Sequence, residues 1–203
     1  MLPVKTEPKR DGRHARAERT HEAIVNALLE LADEGNLSPT ARQIADRADI
    51  ALRSIRQHFA SREALFLAAA AAHAKRSGTT EPISPKGRVH ERVATFVKAR
   101  AIVLEQTSAL RRAASLEESK SAAISRTMNA VSRARRHEVE RMFAHELDRL
   151  NAEERKTILD AADLASSGRS WDAMRRDMKL SVDAARDVME TTLLKLFLSL
   201  IHI

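Results

Sequence analysis

Apolar residues recur along this 203-residue chain at intervals of three and four, and no stretch alternates apolar with polar positions convincingly as a strand. That period predicts helices throughout. A first helix over about 15–34 carries Ala17, Ile24, Leu28 and Leu31 on one stripe and ends at Gly35, a C-terminal cap. A short helix follows Thr40, which forms a capping box with Gln43 and aligns Ile44, Ala45 and Ala48 on one face. Asp49 and Ile50 make the next turn, since Asp is among the few non-glycine residues that tolerate a left-handed backbone. A second short helix over 51–58 adds Ile55 to an apolar set continued by Ile50 and Phe59. Leu52, Arg53, Ser54 and Gln57 are left on its other faces. Ser61 opens a fourth helix, about 62–76, with Glu63 favourably placed against its positive end.

A Ser/Thr/Gly/Pro cluster over 77–85 is the clear linker signal. It separates a basic arm (1–13) and a helix-turn-helix domain (14–76) from a helical C-terminal domain (86–203). In that second domain the pattern predicts a long helix over 86–107, a break at Thr107-Ser108, a short helix over 109–116 and another long one over 119–149. Asn151 with Glu154 opens a further helix that breaks near Ser166-Ser167-Gly168 and resumes through Trp171 and Met174. Ser181 caps the last helix, which has Val182, Ala185, Val188, Met189 and Leu196 on one side. The other side carries Leu193, Leu194, Phe197 and Ile201. That surplus apolar surface is expected to meet a second copy of the chain in a four-helix bundle. The expected architecture is all-α with about nine helices.

Composition narrows the chemistry. The chain is 43% hydrophobic, with 5 Gly and 5 Pro, which suits helices. It holds no Cys, so disulfides, thiolate zinc sites and Cys nucleophiles are excluded. The greasy tail from Leu193 falls short of the roughly 20 residues of a membrane span, and the polar, basic N-terminus is unlike a secretory signal. Net charge is +7, with the basic excess in residues 1–76 and 84–150 and a near-neutral end, which suits a polyanionic partner. His137-Glu138-Val139-Glu140-Arg141 has half of a zinc-protease HExxH pattern, but Arg141 takes the second His position. There is no glycine-rich phosphate loop and no nucleophile motif, so neither a catalytic set nor a metal or other cofactor is expected.

Residues 38–65 carry a more specific pattern. Thr40, Ile44-Ala45, Ala48, Ile50, Ile55, His58-Phe59, Ser61-Arg62-Glu63 and Leu65 stand at the spacing that resembles the DNA-binding domain of TetR/AcrR-family transcriptional regulators. Three positions depart from that family: Asp49 stands where Gly is usual, Ala51 where Ser or Thr caps the helix, and Arg56 where Tyr is usual. Arg62 replaces the family's lysine. Ala51 lacks a capping side chain, at a cost of about 1 kcal/mol. Arg56 exchanges a phenolic hydroxyl for a guanidinium that suits a phosphate at least as well. The segment from Trp171 to Arg176 with Leu180-Ser181 is similar to the end of the family's C-terminal domain.

The resemblance implies a homodimeric repressor, cytoplasmic and nucleoid-associated, that places the 51–58 helix of each subunit in successive major grooves of a palindromic operator. Leu52, Arg53, Ser54 and Gln57 are the candidates for base edges, and Thr40, Arg42, Arg56, His58 and Arg62 those for phosphates. It also implies a small-molecule effector held among Phe96, Val103, Met128, Met142, Phe143 and Trp171, large apolar residues for which plain core is the stronger competing reading. The alternatives are a helix-turn-helix architectural protein without a ligand, and a helical enzyme for which the sequence offers no site.

Overall fold

The computed structural model describes residues 12–76 and 83–199. The basic arm up to residue 11, positions 77–82 of the linker and Ile201 lie outside the described residues. Those described hold helices and no strand: α1 (Gly12–Asp33), α2 (Ala41–Arg47), α3 (Leu52–His58), α4 (Arg62–Arg76), α5 (Val89–Glu118), α6 (Ala122–Met142), α7 (Ala144–Leu147), α8 (Ala152–Ala165), α9 (Gly168–Asp172), a π-helical turn over Ala173–Asp177, and α10 (Val182–Leu198). The chain divides into two compact units, one ending at Ala72 and one beginning at His73. The division falls inside α4, about a turn ahead of the expected linker.

In the first unit the end signals act as their residue types dictate. Gly35 adopts φ +95°, and the Asn36 and Gly35 amides donate back to Leu31 and Ala32 carbonyls at 2.9 Å each. Asp49 does the same work after α2 at φ 53°: the Ile50 amide donates to the Ala45 carbonyl at 3.0 Å and the Asp49 amide to Asp46 at 3.4 Å. This closed turn sets the angle between α2 and α3. Ile24, Leu28, Ile44, Ala45, Ile55, Phe59, Leu65 and Phe66 are buried. Ala17 is exposed, so the inward stripe of α1 begins later than its sequence period indicated.

The second unit corrects two boundaries. α5 runs unbroken to Glu118 through the expected stop at Thr107-Ser108. Both hydroxyls are satisfied without breaking the helix: Thr107 Oγ1 donates to the Val103 carbonyl at 2.7 Å within α5, and Ser108 Oγ donates to Asp172 of α9 at 2.7 Å. Conversely, the expected 119–149 helix begins only after Ser121, whose hydroxyl accepts from the Ile124 amide, and it stops at Phe143 (φ −117°, ψ 22°). Phe143 leaves the helix because its ring is fully buried, stacked on Phe197 at 4.0 Å and edge-on to Phe96 at 5.8 Å. Tertiary packing overrides a good local helix pattern there.

α8 starts on the predicted Asn151–Glu154 capping box, and α10 starts on Ser181, which accepts from the Ala184 amide. The core of this unit gathers α5, α6, α8, α9 and α10 around Phe96, Phe143, Trp171 and Phe197. On α10 the inward positions are Ala185, Met189, Leu193 and Phe197, four apart. Leu193 and Phe197, expected at a dimer interface, have no exposed surface and belong to the chain's own core. Leu194 is half-buried.

A candidate nucleic-acid interface

The candidate surface is built on α3. At 100° per residue, Arg53 and Gln57 project roughly opposite Ile55, with Arg56 and Ser54 to the sides. Burial agrees: Ile55 and the following Phe59 are 7% and 6% exposed, whereas Arg53, Arg56 and Gln57 are exposed. Leu52, at the head of the helix, leaves 43% of its surface in solvent. Seven residues at ~1.5 Å each give a rod of about 10 Å, the length of three stacked base pairs. Among the described residues, no hydrogen bond or ion pair engages the side chains of Arg53, Arg56 or Gln57. Their donors are therefore open to an outside partner. Ala51 has the extended backbone of an N-cap (φ −67°, ψ 139°) but supplies no side-chain bond.

The expected phosphate candidates divide. Arg42 is exposed and pairs with Asp46 at 3.3 Å, an i,i+4 surface pair that a phosphate displaces at little cost. Thr40 Oγ1 accepts from the Gln43 amide at 3.2 Å, and Gln43 Oε1 accepts from the Thr40 amide at 2.8 Å, so its polar groups serve the cap. Arg62 is half-buried. Its guanidinium donates to the Pro39 carbonyl at 2.7 Å and to Ser38 Oγ at 3.2 Å and lies 5.2 Å from the Phe66 ring centre. It fastens the segment before α2 to α4. His58 is half-buried, and His21 of α1 approaches it, a neighbour that no local sequence signal announced. Arg47, exposed and basic in sequence, is spent on Glu34 through two hydrogen bonds of 2.9 and 2.6 Å. That pairing holds the Glu34 carboxyl below the ordinary carboxylate range.

In the second unit, Phe96, Met142, Phe143 and Trp171 are fully buried, while Val103 and Met128 are half-buried. Polar groups that the apolar pattern could not reveal sit among them. The Trp171 indole N–H donates to Glu105 at 2.8 Å, and Arg175 donates to the same carboxylate at 2.8 Å. Arg175's hydrogen bonds, more than the burial opposing them, hold Glu105 below the usual range; Trp171 adds to that. Arg100, mostly buried, pairs with Glu138, and desolvation lowers its pKa. Arg111 donates to the Leu104 carbonyl at 2.8 Å and to Asp172 at 3.0 Å. An open hollow of about 350 Å³ lies against Thr191, Leu194, Lys195, Leu198 and Ser199. Among the described residues, no three His, Asp or Glu side chains gather as a metal site, and no helix is long and apolar enough to cross a membrane.

These features define an all-helical chain whose first unit is a helix-turn-helix with an outward-facing cationic helix. Its fold is that of a known class: the chain is similar to the crystal structure of a transcriptional regulator from Rhodococcus sp. Rha1, with a TM-score of 0.67 over 88% of this chain and 96% of that one. Sequence identity between the two is 14%, so the likeness is one of fold. No protein-family model and no curated protein matches the chain.

Proposed function

We propose that this chain is a TetR-like one-component transcriptional regulator that binds DNA through α3 as a homodimer, acts as a repressor at a palindromic operator and is released by a small-molecule effector. The observation that carries the reading is the two-sidedness of α3: Ile55 and Phe59 anchor it while Arg53, Gln57 and Arg56 stay unpaired and exposed. Arg53 matches the two acceptors of a guanine edge, Gln57 matches an adenine, and Leu52 offers an apolar contact to a thymine methyl; Ser54 completes the base-facing set. Arg56, Arg42 and His58 supply phosphate contacts that set register. Thr40 and Arg62 act one step back, by fixing the start of α2. The fold likeness to a transcriptional regulator supports the class.

Dimerisation falls to the outward side of the C-terminal helices, where Leu164 of α8 and Val188 and Leu198 of α10 are 65%, 42% and 39% exposed. An effector among Phe96, Val103, Met128, Met142, Phe143 and Trp171 enters only by opening a packed core, which couples its binding to a change of conformation.

Selection from a randomised duplex pool tests the reading, with enrichment of an inverted repeat as the expected result. Arg53→Ala then relaxes preference at one base position at a cost of about 1–3 kcal/mol, while Arg56→Ala weakens all sequences alike and shallows the salt dependence. Binding untouched by either change overturns the assignment. Sedimentation of the free protein reads the dimer, and release of bound duplex reads the effector.

A further inference from the structure

Two imidazoles meet at the far end of α3. His58 closes that helix, and His21 reaches it from α1; their ring centroids lie 6.4 Å apart in an edge-to-face arrangement. The His21 ring also lies over Phe59, at 4.6 Å between centroids and tilted by 35°. Phe59 is buried and fixes where the His21 ring sits, and both histidines stay half-buried. Among the described residues, neither imidazole has a hydrogen bond or an ion pair. Both rings therefore keep nitrogens open to a partner from outside, beside the helix that carries Arg53, Arg56 and Gln57.

Charged residues stand near them along the chain. On α1, Glu18 stands one turn before His21 and Glu22 next to it; on α3, Arg56 precedes His58, and Arg62 heads α4. None of the four bonds to either ring. The ionisable groups of α2 are engaged elsewhere, Arg42 with Asp46 and Arg47 with Glu34 and Glu30.

We propose that His21 and His58 together form a proton-linked contact to the DNA backbone, so that affinity for duplex rises as pH falls. The inference rests on the DNA-binding reading above and adds His21 to the contact set. A phosphate drawn against the pair favours the charged form of both rings, and binding then takes up protons. The sign follows. Because the protonated contact is the one a phosphate holds, affinity rises as pH falls and is lost as pH rises.

Fluorescence anisotropy on the full chain tests this at constant ionic strength, with a labelled duplex of about 30 base pairs carrying the repeat enriched by selection. Wild-type protein is expected to bind roughly tenfold or more tightly at about pH 5.5 than at about pH 8. His21→Phe, which keeps an aromatic ring against Phe59, and His58→Gln should each reduce that dependence, and the double variant should flatten it. Circular dichroism at each pH establishes that every variant is folded, and His21→Phe carries the test if the double variant is not. A double variant with the wild-type pH profile, or a wild-type affinity independent of pH, overturns the inference and leaves the DNA-binding reading standing. No duplex binding at any pH overturns both.

Discussion

Arg92 and Glu146 form the most buried ion pair among the described residues, at 5% and 6% side-chain exposure. Arg92 also donates to the Met142 carbonyl at 2.6 Å and to the Gly87 carbonyl at 3.2 Å, and its guanidinium lies 5.7 Å from the Phe143 ring centre. Glu146→Ala removes the carboxylate and leaves a guanidinium in the core with two carbonyls and no counter-charge. Breaking a buried pair from one side costs about 3–5 kcal/mol, because the desolvation of the remaining ion is no longer offset. For a unit of this size that is a fall of roughly 10–20 °C in Tm. The chain's one tryptophan, Trp171, lies fully buried in the same core, so intrinsic fluorescence follows this unit's unfolding specifically. The double variant Arg92→Met, Glu146→Leu should recover at least half of the loss, since it buries no charge, though it leaves the Gly87 and Met142 carbonyls without their donor. A Glu146→Ala melt within about 3 °C of wild type, or a double variant that melts below the single one, refutes the electrostatic account.

Three further changes test other parts. Ala51→Ser places a hydroxyl at a residue that already has N-cap geometry and should stabilise the first unit by about 1 kcal/mol, read by urea denaturation; no gain means that the head of α3 is held by packing alone. A Cβ at Gly168 would stand 2.3 Å from Arg111 Nε, and that guanidinium is tied to Leu104 and Asp172. Gly168→Ala should therefore cost about 1–2 kcal/mol and become neutral in an Arg111→Ala background. Glu105, depressed chiefly by Arg175's hydrogen bonds, contributes stability that is complete above the unfolded carboxyl value of about 4.3 and is lost as pH falls through the depressed folded value. Glu105→Gln should flatten the acid limb of the Trp171 fluorescence profile, and an unchanged limb rules the carboxylate out as its source.

The first unit was legible because its geometry is set by short-range chemistry. Thr40 with Gln43, Asp49 at φ 53° and Gly35 at φ 95° each act within a few residues of themselves, and the sequence displays such devices directly. The second unit was legible where caps governed, at Asn151 and Ser181, and misread where distant partners did. Nothing local to Ser108 indicates that Asp172 accepts its hydroxyl, and nothing local to Phe143 indicates that Phe197 and Phe96 take its ring out of the helix. Among the site residues, the exposure of Arg53 and Gln57 followed from the period around Ile55. The inward turn of Arg62 onto Pro39 depended on a fold that brings together residues 23 positions apart.

α10 takes the same argument one step further. Its sequence is apolar on two sides, and a 3.6-residue period cannot say which side faces home. The packing of Phe197 against Phe143 decides it: once that stack forms, Leu193, Met189 and Ala185 follow inward at steps of four. The side left exposed, which the proposed dimer would use, is the one with Val188, Lys195 and Leu198, less greasy than the four residues first expected there. A helix pair joined across such a face gains less from apolar burial and more from shape and polar contact. In the proposed dimer, the residue that sets the core of one chain would thereby also set how firmly two copies hold each other.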